Sequence, residues 1–351
     1  MTTAEFLRVA IIGCGLIGTE WDRATSSNAS ALTHAGAFSR NKRARLVALC
    51  DQDGARARSA AQYWSVDYFY SDPIKMFAEQ NIDVVVISAP SNVRWPLIEL
   101  AIAARVKVVV IEKPLATSLE ESRRIVAAMD LAGVRSIVNY SRNWDPSMRD
   151  LRRRIGLGEM GRLQRIVATY GKGISNNGSH LIGLTGYLCG AKPFRARALG
   201  TPLDENEAVW STSGERAWDA QVEFIDAKGF ITNLTLLGTD QRAFTCFEIK
   251  IIGQKARFDL SMGGRRLNWI RLQDDPNFES YIVPAPAVPL SSRYLEAMQE
   301  MVDEAIKIAK GEITNVSCDA HSALRTAMVV EAIQLSSQDD GRWISLDTLY
   351  N

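Results

Sequence analysis

The run Val9-Ala10-Ile11-Ile12 leads straight into Gly13-Cys14-Gly15-Leu16-Ile17-Gly18, so the chain opens on a buried strand that must turn sharply into a helix. In a Gly-x-Gly-x-x-Gly turn the first glycine permits the tight bend and the second lets backbone approach a pyrophosphate. The third allows close packing of helix on strand, and the helix N-terminus favours phosphate charge. Taken alone, the pattern also fits any tight strand–helix turn. A second apolar run, Leu46-Val47-Ala48-Leu49-Cys50, narrows the choice because it ends in Asp51. A carboxylate there accepts ribose hydroxyls and repels a 2′-phosphate. Gly13, Gly15, Leu16, Ile17, Gly18 and Asp51 are therefore candidate dinucleotide contacts, with NAD as the expected cofactor. Arg56 and Arg58 keep NADP open, their alternative being a solvated helix face.

Asp51 lies 33 residues beyond Gly18, against about 20 in the usual spacing. The excess falls in the polar stretch Glu20 to Thr33, which contains Ser26, Ser27 and Asn28 and has no helical periodicity. It reads as an insertion that splits the first helix, which resumes at His34-Ala35-Gly36-Ala37-Phe38. Three further β-rich runs lie downstream: Val84 to Ile87, Val108 to Ile111, and Ser136 to Val138. Continuous β-branched runs separated by helical stretches such as Pro96 to Ala104 and Ser118 to Ala132 predict a doubly wound parallel sheet. Ser118 suits an N-cap and Gly133 a helix end.

Beyond about residue 142 the pattern changes. Gln164 to Tyr170, Asp219 to Phe224, Gly229 to Leu237 and Phe244 to Ile252 read as longer, partly alternating strands joined by turns, which predicts an open, largely antiparallel sheet. Two helices come next, Tyr294 to Lys310 and Asp319 to Ser337, after an extended proline-rich connector from Val283. The expected division is a Rossmann dinucleotide-binding domain over 1–142 and an α/β substrate-binding and oligomerisation domain over 143–351.

Composition excludes several classes. Over 351 residues, 41 basic side chains face 40 acidic ones, a formal charge of +1 that gives no bulk reason to bind nucleic acid or an anionic membrane. No apolar run approaches a membrane span, and the N-terminus lacks the pattern of a secretory signal. The five cysteines, Cys14, Cys50, Cys189, Cys246 and Cys318, are scattered, which suits a reducing cytoplasm. No His/Cys/carboxylate cluster has ligand spacing, so no metal is expected. Only His34, His180 and His321 are available for imidazole chemistry.

Glu112-Lys113-Pro114 comes directly after the fourth β-rich run, and with the glycine turn it resembles the Gfo/Idh/MocA family, named for glucose–fructose oxidoreductase and inositol dehydrogenase. The resemblance extends through His34-Ala-Gly-Ala-Phe, Asn139-Tyr-Ser-Arg-Asn-Trp-Asp-Pro, Gly158-Glu-Met-Gly-Arg-Leu, Asn177-Gly-Ser-His-Leu-Ile and Gly341-Arg-Trp-Ile-Ser-Leu. It implies a Rossmann domain, a substrate domain with an open sheet, and homodimers or homotetramers built on that sheet. It also implies NAD(P)-dependent transfer of a hydride to or from a sugar, cyclitol or nucleotide-activated sugar. Lys113 matches the family lysine beside nicotinamide and substrate, and Pro90, Glu112 and Lys113 are counted among the cofactor contacts. A cation at a strand's carboxyl end would stabilise a developing alkoxide; otherwise it is a strand-end lysine paired with a carboxylate.

The family's second signature, Asp-x-Gly-x-His-x-x-Asp, reads here Asn176-Asn177-Gly178-Ser179-His180-Leu181-Ile182-Gly183. His180 is the candidate acid/base and Asn176 its orienting partner, while Asn176 and Gly183 stand where the family has carboxylates. An Asn fixes an imidazole tautomer but adds no charge. Arg94, where the family usually carries His, and Trp95 are candidates to cover the nicotinamide or simply to pack. Asn143, Lys172 and Asn177 are the other candidate substrate contacts. The lost carboxylates keep two alternatives open: a non-catalytic NAD(P)-binding regulator, and an NAD-using glycosidase or lyase with transient hydride transfer.

Overall fold

In the computed structural model of this chain, residues 6–24, 30–200, 216–239 and 246–349 are described. The chain divides into two compact units. One comprises Met1–Pro146 with Leu295–Leu324, the other Ser147–Tyr294 with Arg325–Asn351.

The first unit is built on six parallel strands: β1 (Leu7–Ile12), β2 (Ala44–Cys50), β3 (Tyr68–Tyr70), β4 (Val84–Ile87), β5 (Val108–Ile111) and β6 (Arg135–Val138). Their order is β3-β2-β1-β4-β5-β6. Val9, Val84, Val85, Val86 and Val108 to Val110 are wholly buried, as strands covered on both faces require. The doubly wound sheet agrees with the five runs legible in the sequence. The sixth strand, β3, is a three-residue aromatic edge strand with two exposed side chains, too short and too open to carry a hydrophobic pattern.

The helix after the glycine turn begins with one wide turn, in which Gly15 O accepts from Thr19 N (2.9 Å) and Glu20 N (3.3 Å), and reaches Ala24. Helix resumes at His34–Arg40. Ser26, Ser27 and Asn28 lie outside the described residues. The far end of this excursion is tied to its near end by Asp22, whose carboxylate accepts from Leu32 N (2.9 Å), Thr33 N (3.0 Å) and the Thr33 hydroxyl (2.5 Å). Thr33 Oγ1 in turn caps the helix by accepting from Gly36 N at 3.0 Å. Ser118 caps Leu119–Ala132 and Gly133 ends it in the left-handed region, both as the sequence predicts.

The segment Leu295–Leu324 returns to this unit, a step that a single division near residue 142 does not contain. Helix Ala297–Ala309 packs against β5, β6 and His34–Arg40. Asn41 Nδ2 donates to Asp303 at 2.6 Å, Val138 N to Cys318 O at 2.9 Å and Ala320 N to Ser136 Oγ at 2.9 Å.

The second unit holds a mixed sheet of ten strands. These are β7 (Leu163–Tyr170), β8 (Lys192–Ala198), β9 (Ala220–Ile225), β10 (Ile231–Gly238), β11 (Phe247–Gly253), β12 (Ala256–Ser261), β13 (Arg266–Asp274), β14 (Ile282–Pro284), β15 (Val288–Leu290) and β16 (Ile344–Ser345). The order is β14-β13-β12-β11-β7-β10-β9-β8-β16, with β15 also on β13, and every pair is antiparallel except β7–β10. One face is buried and the other half-exposed, as the alternation along β10 and β12 shows. The proline-rich connector is itself strand, because β14 and β15 fold back on β13. Asp22→Ala is expected to leave two amides and a hydroxyl without their acceptor and to lower the unfolding free energy by about 1–3 kcal/mol; urea denaturation of the full chain checks this.

Candidate active site

Each glycine of the turn has a distinct steric reason. Gly13 sits at φ +100°, and a Cβ there would lie 2.7 Å from Ala89 N and from the Ser88 carbonyl carbon. At Gly18 it would lie 2.1 Å from Gly13 O, so the helix approaches the strand end as closely as backbone allows. At Gly15 a Cβ would meet nothing within 4 Å, leaving open space beside bare backbone. That is the distribution a pyrophosphate cradle needs. Ser88 Oγ locks the turn from β4 by donating to Gly13 O at 2.7 Å.

Asp51, at the end of β2, is 6% exposed. Its Oδ2 accepts from Cys14 N at 2.8 Å and its Oδ1 from Asp53 N at 2.9 Å, so the carboxylate ties the glycine turn to the second strand. Arg56 and Arg58 lie on the exposed face of their helix, where Arg56 leans onto Asp51 at 3.4 Å and Arg58 stacks on Phe69 at 5.2 Å. Burial, with Asp51 adding to it, pushes the Cys14 thiol up to about 12. It is inert at neutral pH and behaves as the small buried hydrophobe its place in the sequence implies. These residues fit a dinucleotide, with Gly15 facing open space and Asp51 at the end of the second strand, where the sequence pattern expects the ribose contact.

Lys113 comes after β5 as a half-buried residue, and the Lys113–Pro114 peptide is cis. The side chain of Glu112, named from the sequence as a cofactor contact, is turned inward. His34 Nε2 donates to Glu112 Oε1 at 2.8 Å, and Asn139 Nδ2 donates to the same oxygen at 2.7 Å. Burial alone would raise the Glu112 carboxyl, but the His34 hydrogen bond and charge, the Asn139 amide and the Arg94 guanidinium together hold it below the usual carboxylate range. Arg94, 4% exposed, donates from Nε to Ala89 O at 2.9 Å and from one terminal nitrogen to the carbonyls of Glu112 and Pro114. Burial pulls the guanidinium down to about 10 while Glu112 opposes it, so Arg94 stays charged at neutrality.

In the second unit, β7 ends in Tyr170, fully buried, whose hydroxyl donates to Trp218 O and accepts from Trp218 N, both at 2.8 Å. The chain then passes through Lys172 in the left-handed region (φ 63°) into a wide helical turn, Gly173–Gly178, that leads into helix Ser179–Cys189. A Cβ at Gly178 would lie 2.8 Å from Ile174 Cδ1 and 3.2 Å from the Tyr170 ring, so a larger residue there would have to displace the Ile174 side chain. Asn176 and Asn177 lie in the wide turn and His180 in the first turn of the helix, all half-buried. The His180 ring stands edge-on to Phe247 with centroids 6.5 Å apart.

The candidate residues thus fall into two groups, one per unit. The first brings together Gly13, Gly15, Gly18 and Asp51 at the glycine turn, with Pro90, Arg94, Glu112 and Lys113 at the ends of β4 and β5. The second gathers Lys172, Asn176, Asn177 and His180 on one loop–helix segment. Trp95 stands apart, its ring under Arg124 at 4.3 Å, and Asn143 is buried with its amide donating to Ser317 O at 3.2 Å. From sequence, His34 belongs on a helix face outside the site, and Asn139 and Ser88 carry no role. The signal for the first two is their place at the head of His34-Ala-Gly-Ala-Phe and of Asn139-Tyr-Ser-Arg-Asn-Trp-Asp-Pro. Glu112→Gln is expected to cost on the order of 1–3 kcal/mol near neutrality. Because the folded carboxyl is held below its unfolded value, the wild-type advantage is full above the ordinary carboxylate range and is lost as pH falls through the folded value. Urea denaturation of both proteins at successively lower pH should show their stabilities converging.

Residues 7–140 match the family model described as oxidoreductase family, NAD-binding Rossmann fold. The chain is 31% identical over 160 residues to a D-apiose dehydrogenase from Paraburkholderia graminis, covering 46% of this chain and 39% of that one. It is 34% identical over 157 residues to an inositol 2-dehydrogenase from Saccharopolyspora erythraea, covering 44% and 43%. The chain therefore spans about two fifths of the length of these relatives. Along nearly its whole length, 98% of this chain and 99% of the other, it superposes on the WlbA dehydrogenase of Bordetella pertussis, solved with NADH and UDP-GlcNAcA, with a TM-score of 0.72 at 20% identity. That likeness is one of fold. Over residues 7–140, then, the chain is similar to the Gfo/Idh/MocA oxidoreductase family, whose model describes an NAD-binding Rossmann fold.

Proposed function

We propose that this chain is an NAD(P)-dependent oxidoreductase acting on a CH–OH or C=O group of a sugar, cyclitol or nucleotide-activated sugar. The observation that carries the reading is the open space over Gly15 within a turn that Asp51 and Ser88 hold shut elsewhere. The activities named for the similar chains, on apiose and inositol, support the polyol class. The UDP-sugar bound to the similar fold supports the nucleotide-sugar branch. Gly13, Gly15, Leu16, Ile17, Gly18, Asp51 and Pro90 would hold the dinucleotide, with NAD preferred. When bound, nicotinamide supplies the two-electron acceptor or donor.

The chain's own groups handle charge and protons. Lys113 stabilises negative charge on the substrate oxygen as it develops. His180 takes up or returns the hydroxyl proton, and Asn176 orients its ring without adding charge, which makes His180 a weaker base than one backed by a carboxylate. Arg94, Trp95, Asn143 and Glu112 serve as support rather than as contacts, since each is engaged inside its own unit. Lys172 and Asn177 remain the proposed substrate contacts of the second unit. Among the described residues no helix is long and apolar enough to cross a membrane, and we place the protein in the cytoplasm as a homodimer or homotetramer formed through the second-unit sheet.

The replaced carboxylates at 176 and 183 favour one second reading, a cofactor-binding regulator. Absorbance assays with inositols, pentoses and UDP-sugars, in both oxidised and reduced forms, decide between the two. Net change in NAD(P)H supports the oxidoreductase, whereas tight cofactor binding with no change across the panel supports the regulator. Lys113→Ala is expected to lower turnover by at least about a hundredfold while cofactor affinity stays within a few-fold. Asn176→Asp should raise turnover or move its pH profile if His180 is the base; an unchanged profile would assign proton transfer elsewhere.

A further inference from the structure

The Arg94 guanidinium is buried in the first unit, yet among the described residues no carboxylate takes it up directly. Its hydrogen bonds go to three main-chain carbonyls: Ala89 at the end of β4, and Glu112 and Pro114 after β5. The last two flank Lys113. A guanidinium offers five N–H donors in one rigid plane and cannot lose its charge near neutrality, so it can join several carbonyls without rotating. The Glu112 carboxylate in the same turn receives His34 and Asn139. The residues on either side of Lys113 are therefore held by charge-assisted bonds, Pro114 through its carbonyl and Glu112 through both its carbonyl and its carboxylate.

We infer that Arg94 is a positioning residue for Lys113: by bridging the carbonyls of Glu112 and Pro114 and anchoring both to Ala89, it fixes where the Lys113 ammonium stands. The inference rests on the proposed role of Lys113 but concerns a separate fact, the placement of that ammonium. A lysine at position 94 would keep the charge and an aliphatic stem, but its ammonium is a compact point on a flexible chain and does not reproduce a planar fork spanning three acceptors. Placement matters because an error on the order of 1 Å at a reacting group can cost about a hundredfold in rate.

The test uses full-length wild type, Arg94→Lys and Arg94→Ala, with folding verified by thermal melting. The first readout needs neither substrate nor cofactor. Acetic anhydride is applied in trace amount, and acylation of the Lys113 peptide is read by mass spectrometry against exposed Lys75 in the same sample. Arg94→Lys should change the Lys113 rate severalfold relative to Lys75, as its ammonium leaves a fixed environment. The second readout is steady-state kinetics on whichever substrate the panel reveals. Here kcat should fall about a hundredfold, with KM and NADH affinity within about threefold, since ground-state binding does not pass through Arg94. Added guanidinium ion should restore part of kcat in Arg94→Ala and none in Lys113→Ala. Where Arg94→Ala does not fold, Arg94→Lys decides. A folded Arg94→Lys with the wild-type Lys113 acylation rate overturns the inference, as does wild-type kcat in that variant alongside an inactive Lys113→Ala. Full turnover by Lys113→Ala overturns the role proposed for Lys113 instead, and the acylation rates still report on Arg94.

Discussion

A carboxylate buried among strand ends is tolerable only if hydrogen bonds and opposite charge replace the water it loses, and Glu112 imposes that condition on the whole first unit. Meeting it requires an imidazole from the helix His34–Arg40, an amide from the residue after β6, and a guanidinium from the helix after β4. Each donor has its own support. His34 begins a helix capped by Thr33, and Thr33 is held by Asp22 across the polar excursion. Asn139 is set by β6, whose edge is covered by the returning segment through Cys318 and Ala320. Arg94 is fixed to the carbonyls just past β4 and β5. One buried charge thus ties together elements from distant parts of the chain, and the residue immediately after it is Lys113.

The same dependence explains which parts of the molecule are legible in the sequence. Five of the six parallel strands announce themselves because strands covered on both faces must be apolar throughout. The glycine turn does so because three positions each exclude a side chain or leave room for a ligand. Caps at Ser118 and Gly133 are readable since their chemistry is local. What escapes is long-range or short. Tyr68–Tyr70 is too brief to show a period, and the return of Leu295–Leu324 depends on contacts such as Asn41 with Asp303 that no local pattern reports. His34 looks like a helix-face residue because its partner, Glu112, is 78 positions away. Arg94 looks like a ligand contact for the converse reason: sequence shows its charge, but not the three carbonyls that absorb it.

Of the three histidines, His34 serves a buried carboxylate, His321 pairs with Asp130 on the surface at 2.9 Å, and His180 opens a helix beside Phe247. Only the last is proposed for proton transfer, and it stands in the signature where Asn176 and Gly183 replace two carboxylates. In the proposed chemistry the second unit supplies the acid/base group, with an amide at 176 in place of a carboxylate and so no added charge. Cofactor binding is the half of the proposed function that rests on the glycine turn of the first unit.

Calorimetric titration of NAD⁺ into the wild-type chain and into Gly15→Ala tests that half directly. The open space around Gly15 means the variant should fold and melt like wild type, so any difference reports on the ligand. One NAD⁺ should bind per chain, with an affinity about tenfold or more weaker in the variant, where a methyl group stands in the place kept for pyrophosphate. No binding by the wild type, or equal binding by the two proteins, would contradict a dinucleotide site at this turn.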